Sequence, residues 1–255
     1  MIIRIISYIS TLLLIATPIS AREIILETGI TQTTMVELYT SEGCSSCPPA
    51  EHFLNDFKNN AELWKHIIPL AFHVDYWDYI GWKDRFAQAA FGLRQSTYAQ
   101  LQRRSTVYTP AFFINGHNWR PGFFSKKLPM DNMKQAGSLK VTLRKKILTA
   151  RFNPLQKSPD RYTLNIALLG MGITTNIKAG ENEGRKARHE FVVLDHQQYR
   201  SEKPNWKIHW SPVTQHIQSL LIPGYAIAAW VTAGNHPSPV QATGGYLPDF
   251  FNTNN

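Results

Sequence analysis

The chain has 255 residues, 43% of them hydrophobic and 18% charged, with a formal net charge of +9. That balance suits one large domain or two ordinary ones and excludes a disordered chain. The basic residues are scattered, with only short clusters at Arg103-Arg104, Lys126-Lys127 and Arg144-Lys145-Lys146, so no basic helix or Arg-rich arm points to nucleic acid.

Residues 1–21 read as a secretory signal peptide. Arg4 supplies the charge, Ile5 to Ala16 an apolar core too short for a bilayer, and Thr17-Pro18-Ile19-Ser20-Ala21 a break with small residues for cleavage. A periplasmic or secreted protein is expected, with a retained signal anchor as the alternative. No later run is long and apolar enough for a membrane span.

Met35 to Tyr39 is the first strong strand. Thr40-Ser41-Glu42-Gly43 turns the chain into Cys44-Ser45-Ser46-Cys47, which holds both of its cysteines. Pro48 and Pro49 suit a first helical turn, where a missing N–H costs nothing. Ala50 to Phe57 continues as a helix with Phe53, Leu54 and Phe57 on one face. Ile67 to Val74 reads as a buried strand ending at Asp75. Lys83 to Arg104 lacks proline and spaces its apolar residues for one or two helices. After Thr109-Pro110, Ala111 to Ile114 is a strand, Asn115-Gly116 a hairpin turn, and His117 to Arg120 the returning strand. Phe123 to Ala136 reads as a short irregular helix.

From Gly137-Ser138 onward the pattern changes to short alternating strands: Leu139 to Arg144, Ile147 to Phe152, Tyr162 to Leu169, Phe191 to Leu194, Trp206 to Trp210 and Ile227 to Thr232. These predict a mostly antiparallel β module. The tail from Asn235, rich in Pro, Gly and Asn, is expected to be partly loose.

A strand that ends in C-x-x-C and opens a helix is the layout of a thiol–disulfide site. The free N–H groups and positive dipole end of the helix stabilise a thiolate there. A purely structural disulfide fits poorly, because so short a loop constrains little chain. A structural zinc site needs four ligands, and there is no second cysteine pair; no metal site is predicted. Cys44, expected to be exposed before the helix, is the candidate nucleophile, and Cys47 inside the first turn the resolving cysteine. The strand ending at Asp75 should finish on the same sheet edge. That places Asp75 and Trp77 in a substrate-binding wall, with His73 and Asp78 behind them. The alternative is a packed loop whose tryptophans fill a seam, the reading preferred for Trp82. A Cu(I) site made of His73 and the two thiolates is a further alternative.

Val107-Tyr108-Thr109-Pro110-Ala111-Phe112-Phe113-Ile114-Asn115-Gly116 resembles the cis-proline segment of the thioredoxin superfamily. With the strand–C-x-x-C–helix before it, the chain resembles that superfamily as a whole. More narrowly, Val36 to Ala50 resembles the opening of a family of bacterial secreted thioredoxin-like proteins catalogued as a domain of unknown function. Ala71-Phe72-His73-Val74-Asp75-Tyr76-Trp77-Asp78-Tyr79-Ile80-Gly81-Trp82-Lys83-Asp84 resembles its second block. Gly180-Glu181-Asn182-Glu183-Gly184-Arg185, with His189, resembles its third.

The resemblance implies an α/β thioredoxin-like domain over 22–137, with a helical insertion at about 83–104, followed by a mostly antiparallel β module over 138–255. It implies no established activity. It also implies a cis Thr109–Pro110 bond beside a docked substrate, so Thr109 and Pro110 are expected to bind substrate. Glu37 sits near the position of a buried acid in such enzymes, which would make it a proton shuttle for Cys47; an edge-facing carboxylate is the alternative. The third block implies that the loop from Gly180 to His189 leans toward Cys44. There Arg185 could pair with Asp75 or Asp78, and His189 could affect the thiolate; a solvated hairpin is the alternative.

The leading expectation is an exported thiol–disulfide oxidoreductase acting on protein or small-molecule thiols and disulfides. Its redox-active disulfide would be its only cofactor. The rival is a non-catalytic module that binds a partner or Cu(I) through the same cysteines. Ser45-Ser46 does not set the redox direction.

Overall fold

The computed structural model describes residues 23–120, 128–129, 134–156, 161–215 and 220–248. The expected signal peptide lies outside these residues, as do Lys126-Lys127 and most of the helix expected over Phe123 to Ala136. In chain order the strands are β1 (Glu23–Glu27), β2 (Thr34–Thr40), β3 (Ile67–His73), β4 (Ala111–Ile114), β5 (His117–Trp119), β6 (Gly137–Arg144), β7 (Ile147–Pro154), β8 (Tyr162–Met171), β9 (Ile173–Asn176), β10 (Lys186–His189), β11 (Val192–Ser201), β12 (Asn205–His209), β13 (Gly224–Ala233) and β14 (Gln241–Tyr246). Helix α1 (Pro48–Asn55), extended by a 3-10 turn at Asp56–Asn59, joins β2 to β3, and α2 (Ala89–Leu101) precedes β4.

An eight-stranded mixed sheet runs in the order β14-β13-β8-β11-β3-β2-β4-β5. Only the β2–β3 and β3–β11 pairs are parallel. A second, antiparallel sheet runs β1-β6-β7-β12, and β9 pairs with β10. Side chains alternate across a strand, so each strand feeds two cores. Leu164, Ile166 and Leu168 of β8 pack with Leu139 and Val141 of β6 and Leu148 of β7. Ala167 and Leu169, pointing the other way, join Leu38, Phe72, Phe91 and Trp230.

Several local expectations hold. Strands β2, β3, β6, β7 and β8 lie where the apolar patterns placed them. Asn115 and Gly116 both take positive φ, 48° and 83°, as a tight hairpin between β4 and β5 requires.

The fold class does not hold. The described residues are mostly β-sheet with two short α-helices among them, not an α/β thioredoxin-like domain followed by a separate antiparallel module. The helical insertion reduces to α2, because Lys83 to Gln88 is irregular. The physical reason lies at β3. Its outer edge is not capped by a helix but pairs in parallel with β11, Val192 opposite Ala71. That pairing satisfies the open edge and draws β8, β13 and β14 into the same sheet. The tail expected to be loose contains β14, whose Gln241 side chain donates to the carbonyls of Thr31 and Gly137.

Candidate functional site

Strand β2 delivers the chain to the turn at Ser41–Cys44, and Cys47 caps the start of α1 with Pro48 and Pro49 in its first turn. The N–H groups of Ala50 and Glu51 both bond the Cys47 carbonyl, at 2.9 and 3.1 Å, which fixes this cysteine at the helix entrance. Both cysteines are free thiols. Cys44 is 1% exposed, not the open sulfur expected from its position, and Cys47 is fully buried.

The two sulfurs differ in charge preference. The Cys47 thiol donates to the Cys44 sulfur, and hydrogen bonds from Ser46 and Thr109 add to it; together they outweigh burial and lower the Cys44 pKa to about 6. Ser46 Oγ is 3.2 Å from Cys44 Sγ. Burial pushes the Cys47 thiol far up, and its bond to Cys44 adds to the rise.

Thr109 and Pro110 lie where expected, and the Thr109–Pro110 peptide is cis. Thr109 lies against both sulfurs, with its one hydroxyl hydrogen available to either, and its Oγ1 accepts from Trp77 Nε1 at 2.6 Å. Helix α2 holds this loop from behind: Gln95 Nε2 donates to the Tyr108 carbonyl at 2.7 Å, and Gln95 Oε1 accepts from Tyr76 Oη at 3.0 Å. A groove of about 270 Å³ runs past the site, floored by Ser46, Pro49, Phe53, Tyr108, Pro110 and Trp119. The Arg120 guanidinium stacks over the Tyr108 ring at its rim, 5.2 Å from the centroid. Trp77 therefore reaches the site. Asp75 is half-buried beside the N-terminal turn of α2, with Gly92 close to its carboxylate. Asp78 accepts from the Asp84 N–H at 3.1 Å, and burial raises its pKa.

Glu37 is placed differently from the shuttle role. It is buried and clamped by Arg94, at 2.8 and 3.0 Å, and accepts from Tyr98 Oη at 2.7 Å and Tyr39 Oη at 3.0 Å. Thr40, three residues on and so on the opposite face of β2, is the residue that contacts Cys47. Its hydroxyl donates to Glu51 Oε1 at 2.6 Å. The carboxylate nearest the resolving thiol by hydrogen bonds is thus Glu51, which sequence reasoning missed. A signal existed, since Glu51 follows Cys47 by four residues and falls on the same helix face.

Under the cysteine turn lies a buried cluster of Glu42, Glu51, His73, Asp84 and His189. His73 Nδ1–H donates to Asp84 Oδ2 at 2.7 Å, and His189 Nε2–H to Glu42 Oε1 at 3.1 Å. Trp82 Nε1 donates to Glu42 Oε2 at 2.8 Å, and the Glu42 N–H bonds Asp84 Oδ2 at 2.8 Å. Burial opposes charge on Glu51, His73, Asp84 and His189, but the ion pairs win. The Glu51 carboxylate and Glu42 carry the His189 pKa up to about 10, and Asp84 raises that of His73. His73 and His189 depress the carboxyls of Asp84 and Glu51 respectively.

The loop before β10 does lean on the cysteine turn. Asn182 Nδ2 donates to the carbonyls of Glu42 and Cys44 at 2.8 and 2.9 Å, and Glu181 accepts from the Ser45 N–H at 3.3 Å. His189 joins the buried cluster, whereas Arg185 is exposed and forms no ion pair with Asp75 or Asp78 among the described residues. No helix among them is long and apolar enough to cross a membrane.

The fold is similar to that of Protein AGR_C_4864 from Agrobacterium tumefaciens, with a TM-score of 0.62 at 22% identity, covering 85% of this chain and 94% of that one. HBP35 of Porphyromonas gingivalis is a more distant neighbour, with a TM-score of 0.52 at 13% identity, covering 86% of this chain and 76% of that one. No curated protein matches. A family model described as a protein of unknown function, DUF1223, matches residues 35–231, which takes in both cysteines, Thr109-Pro110, the buried cluster and Asn182; the chain belongs to the DUF1223 family.

Proposed function

We propose that the protein exchanges thiols and disulfides through Cys44 and Cys47, acting after export on protein or small-molecule thiols. The observation that carries this reading is the asymmetry of the pair. One sulfur collects hydrogen bonds from Cys47, Ser46 and Thr109, while the other is buried and donates. That is the division of labour between an attacking thiolate and a resolving thiol.

The Cys44 thiolate attacks one sulfur of a substrate disulfide. That S–S bond breaks, and the far sulfur leaves as a thiolate that takes a proton from water. Cys47 then gives up its proton and attacks Cys44 Sγ, and the second substrate sulfur leaves. The substrate disulfide ends as two thiols, and the cysteine pair as a disulfide. The reverse sequence oxidises a substrate dithiol, and the direction follows the potentials of the two couples.

The groove supports an extended partner. Its floor is apolar and aromatic, and Ser46, hydrogen-bonded to Cys44, is one of its lining residues. The nucleophile lies beneath Ser46 rather than in open solvent, so substrates with apolar residues flanking the sulfur are favoured. The test is exchange with glutathione disulfide or insulin. Wild type should turn over faster than free cysteine, and Cys44→Ser should be inert. Stoichiometric Cu(I) retention without exchange would support a binding module instead.

A further inference from the structure

We propose that Glu51, His73 and His189 form a binding site for a divalent transition-metal ion of the Zn²⁺ class. Their three donor atoms lie within 4.8 Å of one another, and all three residues are buried. They arrive from separate elements: Glu51 from α1, His73 from the end of β3 and His189 from the end of β10.

Each residue is held by a partner on the atom that would not face the ion. His73 gives Nδ1–H to Asp84, His189 gives Nε2–H to Glu42, and Glu51 takes the Thr40 hydroxyl on Oε1. This carboxylate-to-imidazole arrangement fixes the ring orientation and turns the other ring nitrogen toward the ion; because the neighbouring carboxylates favour the imidazolium forms, a metal binds there by displacing those protons. His73 Nε2 is buried without a hydrogen-bond partner. His189 Nδ1 is buried and faces Glu51 Oε2 at 2.8 Å, an ion pair that a metal bound between the two atoms would replace.

Two imidazole nitrogens and one carboxylate oxygen, with a fourth position open, match the ligand count of three-ligand zinc sites. A tetrahedral ion with bonds of about 2.0–2.1 Å sets its donors about 3.4 Å apart, so small side-chain rotations suffice. The set does not suit Mg²⁺ or Ca²⁺, which take oxygen ligands, or Cu(I), which favours thiolates. Neither cysteine belongs to it; the Cys47 side chain meets that of Glu51 through Thr40. The surrounding carboxylates, Glu42, Glu51 and Asp84, outnumber the two imidazoles and supply the negative charge a cation needs. A bound ion would tie β10 to α1 and β3 directly beneath the cysteine turn.

The full chain, stripped with a chelator and kept reduced, is titrated with Co²⁺ as the probe and then with Zn²⁺. One equivalent of Co²⁺ should give visible d–d bands of a four- or five-coordinate site with no sulfur-to-cobalt charge-transfer band, and Zn²⁺ should displace it. The Cys44→Ser/Cys47→Ser double variant should give the same spectrum, which separates this site from the exchange reaction. Asp84→Asn should weaken binding by about 10–100-fold, and His73→Ala or His189→Ala by more. The wild-type titration needs no variant to fold. Absence of saturable one-to-one binding, or a charge-transfer band that disappears together with all binding in the double cysteine variant, would overturn the proposal.

Discussion

Trp77 Nε1 donates to Thr109 Oγ1 at 2.6 Å, and that bond decides which way the Thr109 hydroxyl can act. A threonine hydroxyl has one hydrogen to give. With the indole on its acceptor side, that hydrogen is left for a cysteine sulfur. Thr109→Val keeps the shape and removes the donor. A hydrogen bond to a charged group contributes about 1.5–3 kcal/mol, so the Cys44 pKa should climb by about 1–2 pH units. Thiolate absorbance against pH reads this directly, and an unchanged midpoint would mean that Thr109 does not hold the thiolate. Trp77→Phe should move the midpoint in the same direction by less.

The Cys44 value of about 6 also sets a stability profile for the reduced protein. The folded state releases this proton near pH 6 and the unfolded chain near pH 9, so the unfolded state binds more protons in between. Stability due to Cys44 therefore grows from pH 6 to pH 9 and is lost as pH falls through 6. Above 9 the raised Cys47 value works the other way, because only the unfolded chain ionises that thiol. Urea midpoints of reduced wild type minus Cys44→Ser, measured at steps between pH 5 and 9, should rise over that window. A flat difference would contradict the depressed thiol.

Glu37 gives a sharp contrast between a structural and a chemical role. Its carboxylate is clamped by Arg94 in the core. Glu37→Gln leaves the Arg94 charge buried and uncompensated, a loss of about 3–5 kcal/mol. Denaturation should show that loss, while the Cys44 alkylation profile stays in place. Full stability with a slowed resolving step would return Glu37 to the shuttle role.

The sequence made the local pieces legible and the long-range ones opaque, and Glu37 shows why. A strand's period of two places Glu37 and Thr40 on opposite faces, but nothing in residues 34–40 says which face receives α1 and which receives α2. The C-x-x-C turn, the Thr109–Pro110 segment and the Asn115-Gly116 hairpin could be read because each is a short, local motif. The β3–β11 pairing could not, because it joins residues about 120 apart through a single registered pair, Val192 with Ala71. That pairing turned an expected α/β domain into part of one large sheet. Glu51 was hidden in a helix read only for its apolar stripe.

Asn182 and Arg185 share a loop and should behave oppositely. The Asn182 amide bonds the carbonyls of Glu42 and Cys44, so Asn182→Ala takes this donor from the Glu42 carbonyl and one of two from that of Cys44, which also accepts from the Cys47 N–H; the cost is about 1–3 kcal/mol, and exchange should slow. Arg185 is exposed, and Arg185→Ala should stay within about 0.5 kcal/mol of wild type with its exchange rate intact. Chemical denaturation and glutathione exchange on both variants check the pair. Equal effects would mean that the loop acts through its charge and not through Asn182.

The most direct test of the central claim is to capture the intermediate. Reduced Cys47→Ala, mixed with glutathione disulfide at pH 7 and quenched with acid, is digested and mapped by mass spectrometry. The account predicts a glutathione adduct on Cys44 that accumulates and persists, where wild type passes on to the Cys44–Cys47 disulfide. No adduct above the level of an unactivated thiol, or a Cys44→Ser variant that is modified at Cys47 just as fast, would contradict it.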